Sequence, residues 1–278
     1  MSQIEVRRPV SEWAKLPVDW IRTGGLVDFV GESYSVKSMW LKEDKSARNV
    51  CISSLKLYLA LCCRADFITG NASVTYEELI RLTGLSRPTV AKALTRLETE
   101  KLIQRKAQAL RKGSSILICG WLESKSWAKI PKRWLYDGSL GAKILMLTEF
   151  NFSRASLSAL KVYIALLAYR DSNRGGIAML SYDRLALITG VKRHHIADAI
   201  TRLYDLRMIS FRQGDFSEAS DFSRTNRYLV RGLGVRWTKA DEFELPQSAS
   251  HKNRPSAADI AAANRFVSAS PKVRSAEV

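Results

Sequence analysis

The sequence predicts an α+β fold, mainly helical, in which one unit of roughly 110 residues is used twice. Three observations predict it. Residues 82–103, LTGLSRPTVAKALTRLETEKLI, are matched by residues 188–209, ITGVKRHHIADAITRLYDLRMI. Upstream, LKLYLAL at 55–61 faces LKVYIAL at 160–166, and WAKLPVDW at 13–20 faces WAKIPKRW at 127–134. Self-similarity at a fixed spacing marks a duplicated structural unit. Finally, 278 residues at 46% apolar content leave room for about two domains of ordinary size.

The elements follow in the same order in each copy. Each opens with Trp-Ala-Lys-Leu/Ile-Pro. Trp13, Trp20, Trp127 and Trp134 are expected to cover the edge of each core, with Pro17 and Pro131 setting a turn or a first helical position. A variable stretch follows, 21–50 and 135–156, in which Lys42-Glu43-Asp44-Lys45 reads as an exposed loop. A first helix is expected over 54–64 and 157–169. It is apolar nearly all round and therefore buried. Ser73-Val74-Thr75 and Met179-Leu180-Ser181 each supply a short strand. Thr75 then caps a second helix, with Glu78 completing a capping box. Ser181 has the same place in the second copy, where Arg184 replaces the Glu.

The second helix ends at Thr83-Gly84 and at Thr189-Gly190, where glycine suits the left-handed C-terminal position. A third helix follows at once. Leu102 to Lys106 and Ile116 to Cys119, joined through Lys112-Gly113-Ser114, read as a hairpin; Ile209 to Arg212 and Arg227 to Val230 are its counterpart. Three helices, a small strand and a C-terminal hairpin make a winged helix-turn-helix. The expected organisation is two in tandem, at 11–123 and 124–238, then a largely disordered tail at 239–278 with room for one short helix at 257–267.

Charge bears on partners rather than fold. The formal net charge is +17 and the pI is near 9.9. Residues 240–278 hold five basic and five acidic side chains, so the whole excess lies on the duplicated body. That pattern favours a folded basic binding surface over a basic disordered tail, and the overall charge points first to nucleic acid phosphates, then to an acidic membrane surface, then to acidic proteins. Cys51, Cys62, Cys63 and Cys119 lack Cys-x-x-Cys spacing and read as buried thiols. No signal peptide is visible and no apolar run is long enough for a bilayer, so the chain is expected to be cytoplasmic, without a membrane partner.

The third helices carry the candidate site. Val90, Leu94 and Leu97 form one stripe, and Ile196, Ile200 and Leu203 form the same stripe in the second copy. These are core positions. The opposite face presents Pro88, Thr89, Lys92, Thr95, Arg96 and Thr99 in the first copy. It presents His194, His195, Asp198, Thr201, Arg202 and Asp205 in the second. A major groove admits one helix. Lys and Arg donate to guanine, Thr touches base edges or a thymine methyl, and Asp accepts from cytosine. Ser86 and Arg87 at one helix start, and Lys192 and Arg193 at the other, stand where recognition helices approach DNA. Arg105, Lys106, Arg111 and Lys112 on the first hairpin, and Arg212, Arg224 and Arg227 on the second, are the expected phosphate contacts. Asp198 reads either as a cytosine acceptor or as an ion partner of Arg202, four residues on.

Enzyme chemistry finds no foothold. There is no Gly-Lys dipeptide and hence no Walker A loop. His194 and His195 are adjacent, so they cannot form a His-x-His metal pair, and no Gly-x-Ser-x-Gly elbow occurs. No cofactor, metal or catalytic residue is expected.

Across roughly residues 11–238 the chain resembles the tandem winged-helix replication initiators of bacterial plasmids. The resemblance rests on the duplication and on the paired segments SRPTVAKALTRLETEKLI and KRHHIADAITRLYDLRMI. It implies binding to repeated origin sequences in double-stranded DNA, initiation of plasmid replication, and repression of the protein's own promoter. Host replication proteins and further copies of the chain are the additional partners it implies. Two other readings stand beside it: a transcriptional regulator with two fused winged helices, and a winged-helix adaptor that binds protein.

Overall fold

The computed structural model describes residues 11–35, 40–106, 114–124, 126–136, 143–172, 176–214 and 225–233. The chain is mixed α+β, with small antiparallel sheets set around helices. The tail expected after 238 and its short helix lie outside the described residues. The described residues all belong to one compact unit.

The first half runs β1 (Ala14–Pro17), α1 (Asp19–Arg22), β2 (Glu32–Ser35), β3 (Trp40–Glu43), α2 (Lys45–Arg64), β4 (Asn71–Val74), α3 (Tyr76–Thr83), α4 (Arg87–Thr99), β5 (Ile103–Lys106) and β6 (Ser114–Ile118). The second runs β7 (Trp127–Ile130), α5 (Lys132–Tyr136), α6 (Leu145–Thr148), α7 (Arg154–Ala168), β8 (Arg170–Asp171), β9 (Ile177–Met179), α8 (Tyr182–Thr189), α9 (Arg193–Asp205), β10 (Ile209–Arg212) and β11 (Arg227–Val230). Each half thus repeats helix, strand, helix, helix, hairpin. The hairpin strands pair antiparallel, Ile103 opposite Ile118 and Ile209 opposite Val230, and β4 and β9 extend them.

Local chemistry explains the boundaries. The Asp44 carboxylate accepts from the Ser46 and Ala47 amides at 2.8 and 3.2 Å, so α2 starts at Lys45. Lys42 to Lys45, expected as a loop, instead end a strand and begin a 20-residue helix. Thr75 caps α3 by accepting from the Glu78 amide, and Ser181 caps α8 by accepting from the Arg184 amide. The capping box at Glu78 does not close in the expected way: the carboxylate pairs with Arg64 of α2 at 2.5 Å. Gly84 and Gly190 take positive φ, 68° and 65°. The threonine before each glycine is buried. Its hydroxyl donates back to Leu79 or Leu185 and accepts from the Leu85 or Val191 amide, which locks both turns in one geometry.

The two halves share one continuous core. α2 and α7 are buried over most of their length. Trp121, buried and donating from its indole to the Phe67 carbonyl, is among the largest fully buried side chains, yet no repeat or periodicity singles it out. Cys51, Cys62 and Cys63 are buried free thiols, and burial raises the pKa of each.

An approximate twofold axis relates the halves. β1 and β7 are the two Trp-Ala-Lys blocks, and they pair with each other, antiparallel, with Lys15 opposite Lys129. Those lysines are equivalent positions, so the pairing is self-complementary, as in an isologous dimer interface. Trp13 and Trp127, also equivalent, stack at 5.4 Å. The Lys56 ammonium donates to the Phe150 carbonyl at 3.3 Å, and Lys161, its counterpart, donates to the Phe29 carbonyl at 3.1 Å. Thr148 packs at Gly84 and Val27 at Gly190, so each half's connecting segment rests on the other half's helix-helix turn. Among the described residues no helix is long and apolar enough to cross a membrane.

Candidate nucleic-acid interface

α4 and α9 are amphipathic helices held by their own halves. Val90, Ala93, Leu94 and Leu97 are buried on α4, and Ile196, Ala199, Ile200 and Leu203 on α9. Each helix lies on the long helix of its half, α2 or α7, and each follows its glycine turn directly. One face of each is therefore fixed by packing, and sterics leave the other outward.

On α4 the exposed side chains are Arg87, Pro88, Lys92, Thr95 and Thr99, with Ser86 exposed just before the helix. Thr89 is half-buried, and its hydroxyl bonds that of Ser86 at 2.8 Å. Arg87 lies over the Tyr76 ring at 5.2 Å, which keeps its guanidinium at the helix start. Thr95 and Thr99 each donate back to the carbonyl four residues earlier, leaving oxygen lone pairs and methyl groups outward. On α9 the exposed set is Lys192, Arg193, His194, Asp198, Thr201 and Asp205, with His195 half-buried. Arg193 is tied to Asp183 of α8 at 2.5 Å. The ring nitrogens of His194 and His195 lie 3.1 Å apart. The pKa of His195 is lowered, first by burial and then by the charges of His194, Arg154 and Lys192, against the opposing effect of Asp198.

Arg96 and Arg202 do not join these faces. Each is half-buried and turned inward. Arg96 donates to the Asp28 carbonyl at 2.9 Å, pairs with Glu100 at 2.8 Å and lies over Phe29 at 5.8 Å. Arg202 donates to the Glu149 carbonyl at 2.9 Å. Both copies keep this arginine because it anchors the third helix to the connecting segment of its own half. Asp198 is accordingly left exposed, and Arg202 goes to Glu149 instead of pairing with it.

The hairpins also differ from expectation. Arg105 and Lys106 are exposed, but Arg105 is engaged by the Glu98 carboxylate of α4, which raises its pKa and lowers that of Glu98. Arg212 is exposed at the end of β10. Arg227 is withdrawn from the phosphate set. It is 6% exposed, because β11 lies inside its sheet between β10 and β9 and is buried along its length. Arg111, Lys112 and Arg224 lie outside the described residues.

Sequence reasoning missed the connecting segments. Leu26-Val27-Asp28-Phe29 and Leu147-Thr148-Glu149-Phe150 are equivalent, and Leu-x-acid-Phe was a readable signal within stretches taken as variable. Among the described residues no group of His, Cys, Asp or Glu could share a metal ion. Comparison with family models, curated proteins and solved structures finds no match to this chain.

Proposed function

We propose that the chain is a sequence-specific double-stranded DNA-binding protein made of two winged helices, and that it initiates replication of a plasmid or similar replicon at repeated origin sites. One observation carries the DNA-binding part: two third helices, equivalent by duplication and related by an approximate twofold axis, each bury one stripe and expose a polar face, Arg87, Lys92, Thr95 and Thr99 on the first and Lys192, Arg193, Thr201, Asp198 and Asp205 on the second. The excess charge of +17 on a body with a neutral tail supports it. Replication initiation rests on the resemblance of the duplicated segments to plasmid initiators.

The axis adds a constraint on the site. In helix-turn-helix dimers the symmetry of the DNA mirrors that of the protein. A single chain should therefore read two half-sites in inverted order. They should differ in sequence, because Lys92 corresponds to Asp198 and Thr89 to His195. Direct repeats at an origin would each contain one such imperfect inverted pair.

Selection of bound sites from a random duplex library, followed by titration of the winner at several salt concentrations, tests the reading. Neutralising about 6–10 phosphates gives a steep negative log–log slope. A flat slope removes DNA as the partner. A direct, uninverted pair of half-sites removes the twofold docking.

A further inference from the structure

Two short segments, Leu26 to Phe29 after α1 and Leu147 to Phe150 at the end of α6, are each held at three points. The Asp28 carbonyl accepts from Arg96 of α4 at 2.9 Å, and the next carbonyl, that of Phe29, accepts from Lys161 of α7 at 3.1 Å. Val27 packs at Gly190, the turn from which α9 starts. The second segment repeats this with the halves exchanged. The Glu149 carbonyl accepts from Arg202 of α9 at 2.9 Å, the Phe150 carbonyl accepts from Lys56 of α2 at 3.3 Å, and Thr148 packs at Gly84 before α4. Leu26, Phe29, Leu147 and Phe150 are buried, so each segment is also anchored in the core between its tie points.

These ties close a circuit. From α4 it runs through Arg96 to the first segment, then to α7 and the Gly190 turn of the other half. From α9 it returns through Arg202 to the second segment, then to α2 and the Gly84 turn. Neither third helix can shift against the other without breaking a hydrogen bond or opening the packing at a turn. β1 and β7 join the halves at the axis through their own pairing. The crossed segments join them at the third helices.

Stability alone does not account for the lysines. Lys56 and Lys161 are each 4% exposed and carry an ammonium into the core. An apolar side chain of the same length fills such a space without the cost of desolvating a charge. The duplicated chain nevertheless has lysine at both equivalent positions, each donating to the other half's segment. What a hydrogen bond supplies and an apolar contact does not is direction. An apolar side chain can slide along a segment, whereas an ammonium is confined to one carbonyl.

We infer that the two segments form a crossed bracket that fixes the separation and angle of α4 and α9, with Lys56 and Lys161 as positioning residues, and that this sets which spacing between half-sites the chain accepts. The spacing part rests on the DNA-binding reading; the bracket itself does not. One inserted base pair moves a half-site by about 3.4 Å and turns it by about 35°. A rigid pair of helices cannot follow both changes unless the DNA is deformed, which costs binding energy. Spacing then becomes part of what is recognised, at positions that no side chain touches.

The test uses the full chain and two readouts. Nitroxides are placed through Thr99→Cys and Asp205→Cys, exposed equivalent positions on α4 and α9, with Cys119→Ser so that the other native thiols are buried. Their separation is measured by pulsed electron spin resonance, without DNA, in the parent, in the double variant Lys56→Met with Lys161→Met, and in Ile118→Ala. The last variant opens a cavity in the first half's sheet instead. Urea unfolding confirms that each is folded; if the double variant is not, the single lysine variants take its place. One narrow distance is expected in the parent and in Ile118→Ala, and a broadened or shifted one in the lysine variants. An unchanged distribution in the lysine variants overturns the bracket. The second readout is affinity for the selected duplex and for duplexes with one base pair added or removed between the half-sites. The parent and Ile118→Ala should lose about tenfold or more on either change, and the lysine variants less than about threefold. Equal discrimination in parent and lysine variants, or a parent indifferent to spacing, overturns the spacing role. A distance that loosens only in the lysine variants of a chain that binds no duplex supports the bracket and refutes the DNA-binding reading, and the spacing role with it.

Discussion

Replacing Lys56 by Met should remove a pH dependence of stability that the parent carries. Lys56 is 4% exposed, and its pKa falls from 10.5 to about 8, because burial disfavours the ammonium and the charge of Lys143 adds to the effect. Below pH 8 the folded protein holds a charged group in its core, and the penalty is fully present. Between about pH 8 and the unfolded value of 10.5 the unfolded chain binds more protons than the folded one, so stability rises with pH. At about 1.4 kcal/mol per pH unit, the gain across that window is roughly 3 kcal/mol. Methionine keeps an unbranched chain and carries no charge. It also deprives the Phe150 carbonyl of its Lys56 donor, at a cost of about 1–3 kcal/mol that does not vary with pH. Burial raises the pKa of Tyr58 and Tyr163, which lowers stability at high pH in both proteins alike. The readout is therefore the difference between parent and Lys56→Met in urea unfolding, from about pH 7 to about pH 10. The parent should gain roughly 2–3 kcal/mol on the variant over that range. A constant difference would refute the argument, because it would mean that Lys56 titrates alike in both states.

Other outcomes follow from the same packing. Leu94→Ala and Ile200→Ala, at 1% and 3% exposure, should each cost about 2–5 kcal/mol by denaturant unfolding. Because the core is continuous across the halves, each variant should still unfold in one transition; two separated transitions would contradict a shared core. Arg96→Ala loses its bonds to Asp28 and Glu100 and should lower stability by about 1–3 kcal/mol, seen as a reduced melting temperature. Lys92→Ala should leave melting unchanged and weaken duplex binding by about 1–3 kcal/mol within one half-site. An equal loss of melting temperature in both variants would mean that the outward face of α4 is wrongly drawn.

Much of each half is written in local sequence. A stripe such as Val90-Leu94-Leu97 can bury itself only as a helix, and Thr-Gly at the end of α3 and α8 allows only a left-handed turn. Both are decided within about one turn of chain, so periodicity and residue type suffice, and the duplication reads them twice. The start of α2 was less legible, because the charged run at 42–45 looks like a loop until Asp44 is seen to cap the helix. The roles of particular arginines were not legible at all. Arg96 and Arg202 fall on the outward side of a helical wheel, yet a long side chain reaches round it, and only the position of Asp28 and Glu149 turns both inward. Arg227 likewise looked like a hairpin cation until its strand took a place inside the sheet. The axis that pairs Trp-Ala-Lys with Trp-Ala-Lys depends on which surfaces of two similar units meet. Repetition in a sequence says that two units are alike. How they dock is set by contacts between residues far apart in the chain, and those exist only once both halves have folded.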